Sequence, residues 1–213
     1  CDAAGSIYAS GQSGSSDFPV QSGVQMTIAG ADDAVLVKYT ALSQLIWSTY
    51  YGGSASDCFT SVAVDPSGNP IVCGTTSSSN FPVMNAWQGS NAGNYDDVIV
   101  KFTSAGSPIW ATYFGGSGDE YESPDLAIDA AGHIYMHQMT DSPDVPMRNA
   151  FQSVNRGSTD AMLVKFTSSG VLCWSTYLGG SATEVARSCT TTPQFTVAVC
   201  SGTESADFPV EDA

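Results

Sequence analysis

The chain repeats itself at intervals of 63 or 64 residues. One short phrase marks the period, and its copies are DFPV at 17–20, NFPV at 80–83, DVPM at 144–147 and DFPV at 207–210. A period of this length indicates one supersecondary unit per copy, and such a unit buries its apolar side chains by packing against its neighbours. The sequence therefore predicts a single repeat array and not a set of independent domains.

We divide residues 1–213 into one array. The bounds are 1–63 for repeat 1, 64–127 for repeat 2, 128–190 for repeat 3 and 191–213 for the partial repeat 4. Repeat 1 lacks its leading strand, and repeat 4 supplies an additional one. Unpaired strand edges accept strands from other chains. The pattern therefore predicts head-to-tail joining of copies, as a ring or a filament, or else a fragment of a longer protein.

Each copy opens on an Asp-x-x-Gly turn between two short apolar segments. The aspartates are Asp2, Asp65 and Asp129, and the glycines are Gly5, Gly68 and Gly132. An Asp side chain binds the backbone two residues ahead and Gly tolerates a positive φ, so the pattern predicts an antiparallel hairpin. The fourth copy departs from it, with Thr192 and Phe195 at the Asp and Gly positions.

Two further apolar segments follow the hairpin in every full copy. The first ends in a lysine and an aromatic residue, and its lysines are Lys38, Lys101 and Lys165. The second ends in Gly-Gly, and its tryptophans are Trp47, Trp110 and Trp174. We predict that each lysine forms a structural ion pair with a carboxylate of the adjacent unit. No segment shows the apolar spacing of a helix.

Four short strands per copy, without clean alternation of polar and apolar residues, indicate sheets that are covered on both faces. The predicted fold is therefore all-β. We expect a β-propeller-like array of four-stranded antiparallel blades, with about three and a third repeats of ~63 residues. A tandem β-sandwich or a β-solenoid is the alternative architecture.

The repeated phrase lies in the long link between the second and third strands. Its Asp or Asn starts a turn, its Pro stiffens the link, and its apolar residue points inward. These apolar residues are Phe18, Phe81, Val145 and Phe208. Further along, Val24-Gln25, Trp87-Gln88 and Phe151-Gln152 recur at one phase and predict a second apolar contact and a side-chain amide that binds the loop backbone. We interpret the phrase as a structural staple.

The segment VDPSGNPIVCGTTSSSNFPV, followed by AWQ, DDVIVKF and IWATYFGGSGDE, resembles the SBBP-type bacterial β-propeller repeat. The resemblance covers nearly the whole chain. It implies tandem blades in a secreted or cell-surface bacterial protein, and it implies no catalytic residues. On this basis the recurring Asp, Gly, Phe, Lys and Trp positions named above are structural.

The charge balance argues against several partners. The chain has 21 acidic and 6 basic residues and a formal net charge of −15, so it would repel nucleic acid and anionic membrane surfaces. No run of 18 apolar residues and no signal peptide is found, so we expect neither a membrane span nor an export signal within this sequence.

Six cysteines stand at positions 1, 58, 73, 173, 189 and 200, without the spacing of a metal or haem site. An even count in a chain that is rich in Ser, Thr and Gly suits an oxidising compartment. We expect an interchain disulfide between Cys1 and either Cys189 or Cys200. For Cys73 and Cys173, burial as free thiols is an equal alternative.

No nucleophile motif, zinc motif or phosphate loop occurs, so the sequence predicts no enzyme. Acidic residues that follow the Gly pairs make calcium the one cofactor to consider, and they are Asp57, Asp119, Glu120 and Glu184. His133 and His137 would share one face of a strand, too far apart to bind one metal.

Two functions fit these observations. The first is a noncatalytic extracellular or cell-surface protein with a structural or adhesive role, which forms a homo-oligomer or filament through its terminal strands. The second is a secreted propeller that binds or processes carbohydrate. In that case exposed Tyr50, Tyr51, Tyr113 and Trp87 would stack on sugar rings. Because most of these aromatics recur at one phase of the repeat, the sequence favours the first.

Overall fold

The computed structural model describes residues 1–121, 123–192 and 196–210. Within these ranges the chain forms β-strands and no helix. A helix that is long and apolar enough to span a membrane is therefore not found among the described residues. The strands are β1 (Ile7–Ser13), β2 (Asp33–Tyr39), β3 (Leu45–Tyr51), β4 (Asp57–Val64), β5 (Pro70–Thr76), β6 (Asp96–Phe102), β7 (Pro108–Phe114), β8 (Asp125–Ile128), β9 (Ile134–Thr140), β10 (Asp160–Phe166), β11 (Leu172–Leu178), β12 (Glu184–Thr191) and β13 (Val197–Thr203).

The strands form four antiparallel sheets in chain order. Sheet 1 contains β1–β3, sheet 2 contains β4–β7, sheet 3 contains β8–β11 and sheet 4 contains β12–β13. Within each sheet every strand pairs with the next along the chain. The predicted four-stranded units are therefore confirmed in sheets 2 and 3. The described sheets do not close into a ring, so the number of blades in a propeller stays a prediction.

The two central sheets are covered on both faces. Every residue of β5 and β6 is buried, whereas β1 and β13 are exposed along much of their length. A strand in a sheet that is wet on one face alternates between buried and exposed side chains, and β5 and β6 do not alternate. The continuous apolar runs in the sequence therefore reflect packing between sheets, as predicted.

The core lies between sheets and not within one. One apolar cluster joins sheets 1 and 2, and it includes Leu36, Trp47 and Phe102. A second cluster joins sheets 2 and 3 through residues such as Ile99 and Val164. A fully buried large apolar side chain contributes about 1.5–3 kcal/mol relative to an exposed one. Sheets 1, 2 and 3 are therefore stabilised by apolar contacts with their neighbours.

The predicted Asp-x-x-Gly turns are confirmed. Asp65 Oδ1 accepts hydrogen bonds from the backbone N–H groups of Ser67 and Asn69, at 2.8 and 2.9 Å. Gly68 has a φ of 81°, in the region that L side chains rarely adopt. Asp2 and Asp129 form the same turns. The departure expected in the fourth copy at Phe195 lies outside the described residues.

Candidate functional site

A recurring pair of donors ties sheet 1 to sheet 2 and sheet 2 to sheet 3. Trp47 Nε1 and Lys38 Nζ in sheet 1 both donate to the backbone carbonyl of Ser104 in sheet 2, at 3.1 and 3.2 Å. Trp110 and Lys101 bind the carbonyl of Ser168 in sheet 3 in the same way. These two lysines and two tryptophans thus link sheet 1 to sheet 2 and sheet 2 to sheet 3.

A glycine two residues after each of these serines leaves room for the tryptophan ring. Gly106 has a φ of 90°, and a Cβ added there would lie 3.0 Å from the ring of Trp47. Gly170 stands in the same relation to Trp110, where the distance would be 2.9 Å. The loop glycine and the preceding sheet's tryptophan are therefore fitted to one another.

The predicted carboxylate partner of the lysines is corrected by the structure. Lys38 and Lys101 pair with the turn aspartates of their own sheets, Asp2 at 3.4 Å and Asp65 at 2.8 Å. The strand order within the sheet makes this contact, because the turn and the end of the third strand lie side by side. Only the carbonyl contact crosses to the adjacent sheet.

The ion pair changes the acidity of Asp65. Burial alone raises the pKa of this carboxyl, but the hydrogen bonds from Lys101 and from the backbone N–H of Asn69 outweigh burial and hold the pKa below its ordinary value. In sheet 3, Asp129 pairs with His133 at 2.9 Å instead. Lys165 Nζ lies over the Tyr135 ring, 4.8 Å from its centroid.

Two carboxylates flank the first glycine of each Gly-Gly pair. The pairs are Asp33 with Asp57, Asp96 with Glu120, and Asp160 with Glu184. In the sheet 2 example, a Cβ on Gly115 would overlap Glu120 Oε2 and approach Asp96 Cγ to 2.7 Å. The glycine is required because the two acids meet across it. Paired carboxylates are the chemistry of acid-base catalysis, so their remaining partners decide their role.

Protein donors occupy these carboxylates. Glu120 Oε1 accepts from Thr140 and Ser142, at 2.7 and 2.8 Å, and Oε2 accepts from the N–H of Gly116 at 3.2 Å. Burial raises the pKa of Glu120 to about 7, although these hydrogen bonds oppose the shift. Asp57 makes the same set of contacts in sheet 2, and burial raises its pKa too.

The other member of each pair is held by the loop before the third strand. Asp96 accepts from the N–H groups of Ala92 and Gly93, at 3.0 and 3.1 Å, and from Gln88 Nε2 at 2.8 Å. The same Gln88 accepts from the N–H of Gly115 through Oε1, at 3.2 Å. The predicted binding of loop backbone by the recurring glutamines is therefore confirmed.

The calcium prediction gains no support from this geometry. Within the described ranges, no three His, Cys, Asp or Glu side chains are placed so as to hold one metal ion. Asp57, Glu120 and Glu184 stand at equivalent places on different sheets, and each binds protein donors. Of the predicted histidines, His133 binds Asp129, and His137 is buried with Nε2 3.1 Å from Ser201 Oγ.

The repeated phrase clamps the loop between consecutive sheets, a contact that the sequence analysis missed. Asn80 Oδ1 accepts from both the N–H and the hydroxyl of Ser54, which follows the Gly pair, at 2.8 and 2.9 Å. Asp144 and Asp207 bind Ser117 and Ser181 identically. The constant spacing of 26 or 27 residues between Gly-Gly-Ser and this Asp or Asn was the available signal.

The apolar residue of the phrase points inward as predicted in the central copies. Phe81 and Val145 are buried, whereas Phe18 and Phe208 in the outer copies are half-buried. A buried tyrosine fixes the phrase, since Tyr113 donates to the carbonyl of Ser78 and accepts from the N–H of Phe81. The phrase is therefore a packed link.

We predicted that four aromatic residues are exposed and could stack on sugar rings. This prediction is wrong for three of them. Tyr50, Tyr51 and Tyr113 are buried, because their side chains face the adjacent link and sheet. Trp87 is 38% exposed and rests on Phe114 and Phe166, with ring centroids at 5.8 and 6.5 Å. These rings are used in packing between sheets.

All six cysteines are free thiols. Cys73 is fully buried, and burial raises its pKa well above the ordinary thiol value, so its alternative interpretation as a small apolar residue fits. Burial likewise raises the pKa of Cys189 to about 12. A disulfide between Cys1 and Cys189 or Cys200 of two copies stays a prediction.

Fold and contacts together define an all-β protein of tandem repeats whose recurring polar residues hold loops and sheets in place. Residues 46–82 match the family model of the SBBP β-propeller repeat. The matched segment runs from β3 through β4 and β5 to the phrase, so it includes the Asp-x-x-Gly turn and the Gly pair. The resemblance stated from the sequence is thereby confirmed. No curated protein matches the chain.

Proposed function

We propose that this protein is a noncatalytic structural or adhesive protein outside the cell, whose propeller blades associate head-to-tail with those of other copies. One observation carries the proposal: the carboxylates and amides that would attract a functional interpretation recur in each full copy and bind neighbouring loops, as do the lysines and tryptophans of sheets 1 and 2. A group that is fully hydrogen-bonded to its own fold in every copy has no capacity left for a substrate.

The face of sheet 3 and the adjoining link favour association with another blade. Trp87 is covered by Phe166 of the following sheet, whereas Phe151, at the same position one repeat later, is 76% exposed. Lys38 and Lys101 each bind a carbonyl of the next sheet, and Lys165 binds none among the described residues. The internal interfaces specify what would cover this face: an aromatic residue and a loop carbonyl of another blade.

An extracellular location is supported by composition and by the resemblance. The chain has only 6 Lys and Arg residues among 213, with many Ser, Thr and Gly residues. Repeats of the kind that it resembles occur in secreted or cell-surface bacterial proteins. Cell fractionation with an antibody, combined with protease treatment of intact cells, tests this location, and protein confined to the protease-resistant interior would contradict it.

Size measurement in solution tests the association. Light scattering on a sizing column should give a mass above 22.1 kDa that increases with concentration. Phe151→Ser should shift the equilibrium toward the monomer. Met26→Ser is the matched control, because Met26 is also an exposed apolar link residue but lies where the next sheet is already in place. A mass of one chain at every concentration would refute association between copies.

A further inference from the structure

Two buried polar residues that depart from the repeat lie between sheets 2 and 3. Residues that packing requires recur in every copy, so a buried residue that does not recur needs another reason. Asp97 is wholly buried at a position that carries alanine in sheets 1 and 3, Ala34 and Ala161. Gln138 is buried at a position that carries glycine in repeats 1 and 2, Gly11 and Gly74, and Ser201 in the partial fourth copy.

Gln138 fits only because the leading strand of sheet 3 is altered. In sheet 2, a Cβ on Gly74 would overlap the backbone carbonyl of Cys58 in the leading strand β4. The equivalent strand β8 covers only Asp125–Ile128, half the length of β4, and it begins after Pro124. Pro has no N–H group to donate to the neighbouring strand, so β8 does not extend to residues before Pro124.

The Gln138 side chain fills the space that this shortening leaves. Its Nε2 donates to the carbonyl of Tyr121 and, at 3.0 Å, to Asp97 Oδ1 in sheet 2. The two departures, Asp97 and Gln138, therefore form one contact between neighbouring sheets. This contact places a buried carboxyl directly behind the segment that contains Tyr121.

The segment that contains Tyr121 borders a surface depression of about 350 Å³. Its walls are Tyr95, Asp119, Glu120, Tyr121 and Met139. Tyr95 is 39% exposed, and Tyr121 is positioned by a 2.7 Å hydrogen bond from its hydroxyl to Asp141. The depression thus combines two tyrosine rings, a thioether and carboxylates.

Two carboxyl oxygens, one in the wall of the depression and one on the buried residue that Gln138 contacts, have no partner in the described part of the chain. They are Asp97 Oδ2 and Asp119 Oδ1, and both atoms are buried. A buried carboxyl oxygen without a donor costs free energy, so the site lacks a positively charged or hydrogen-donating group. Burial and the nearby Glu120 raise the pKa of Asp97 well above its ordinary value, as expected for a carboxyl without a counter-charge.

We propose that this depression binds an organic cation, an ammonium or guanidinium group carried by a free amine or by a Lys or Arg side chain of a peptide. Asp119 provides the counter-charge, and the rings of Tyr95 and Tyr121 provide faces for a cation–π contact. Asp97 holds Gln138 in place behind Tyr121, through the hydrogen bond from Gln138 Nε2 to Asp97 Oδ1. The net charge of −15 raises the local concentration of cations around the whole molecule.

Titration calorimetry with small probes tests the site. The probes are the peptides Gly-Arg-Gly and Gly-Lys-Gly, the free amine butylamine, and Gly-Gln-Gly as a neutral control. We expect saturable binding of at least one cation and none of the neutral peptide. Binding of a peptide but not butylamine would identify a protein side chain as the source of the cation, and the reverse would identify a free amine.

Two variants of equal charge localise the binding. Asp119→Asn should weaken binding roughly tenfold, since it removes the counter-charge at the depression. Asp17→Asn removes one charge at an exposed position elsewhere and should leave binding unchanged. Asp97→Ala restores the residue of the neighbouring copies, so it should fold and should also bind more weakly.

Three results would overturn the proposal. The first is the absence of saturable binding by any cationic probe. The second is an equal effect of Asp119→Asn and Asp17→Asn, which would show only a response to net charge. The third is calcium binding that Asp119→Asn abolishes and that excludes the organic cations, because the site would then be a metal site.

Discussion

Position within the repeat decides the role of each polar residue. Asp57, Glu120 and Glu184 stand at one phase, and each accepts hydrogen bonds from the Gly pair and from hydroxyls of the following strand. The side-chain types alone suggested a calcium rim. Their donors show instead that the carboxylates stabilise the tight loop that connects one sheet to the next.

The first glycine of the Gly pair allows the two acids to approach. Gly115→Ala should destabilise the protein by about 2 kcal/mol or more, because the added Cβ would overlap Glu120 and press on Asp96. Gly89→Ala is the matched control, since a Cβ there meets nothing within 4 Å. Urea unfolding of both variants measures the difference, and equal stability of the two would contradict the packing described here.

The buried Glu120 makes stability depend on pH in a defined direction. Burial raises its pKa from the ordinary value of 4.5 to about 7, so between these pH values the folded chain keeps a proton that the unfolded chain has lost. The contribution of this group to stability therefore falls as the pH rises through that window. The loss amounts to up to about 3 kcal/mol.

Glu120→Gln tests this dependence, because glutamine keeps the shape but does not titrate. Between pH 4.5 and 7, the variant should lose less stability than the wild type as the pH rises. Glu204→Gln, at an exposed position, should behave as the wild type does. Parallel slopes for the wild type and Glu120→Gln in chemical denaturation at several pH values would show that Glu120 is not the group responsible.

At the scale of strands and sheets, the sequence is most informative where it repeats. The third strands, predicted as the apolar segments that end at Lys38 and Lys165 and the aromatic residue after each, coincide with β2 and β10, because apolar runs bounded by turn residues mark both ends. The short β8 was not predicted as such. Its length depends on Pro124 and on Gln138, ten or more residues apart, and only the folded chain shows that these two act on the same strand.

The link between sheets was predictable in part. The recurring Lys and Trp identified positions that packing requires, but the acceptor is a backbone carbonyl, which any residue type provides. The sequence therefore gave no signal for Ser104 or Ser168 as partners. Pairing of Lys101 with Asp65 was missed for a related reason, since strand order within a sheet places the turn beside the lysine.

Trp110→Phe tests this link. The variant keeps an aromatic ring but loses the hydrogen bond from Nε1 to the Ser168 carbonyl, so we expect a loss of about 1 kcal/mol. Trp174→Phe should cost less, because among the described residues Nε1 of Trp174 has no carbonyl partner. The free energies of urea unfolding give both values, and a larger loss for Trp174→Phe would contradict the proposed role of the cross-sheet carbonyl.

For the molecule as a whole, the central statement is that each sheet is stabilised by the sheets beside it. The apolar clusters lie between sheets 1 and 2 and between sheets 2 and 3. In the outer sheets, strands β1 and β13 are largely exposed. A repeat array of this kind gains stability from its interfaces. Association of copies would extend the same interfaces beyond one chain.

Amide hydrogen exchange at a low and a high protein concentration tests this statement directly. At low concentration, β5, β6, β9 and β10 should exchange slowest, and β1, β12 and β13 fastest, because exchange follows the stability of each segment. At high concentration the outer strands should gain protection as other blades cover them. Equal protection of all four sheets at low concentration would mean that each sheet is stable alone, and it would contradict the account.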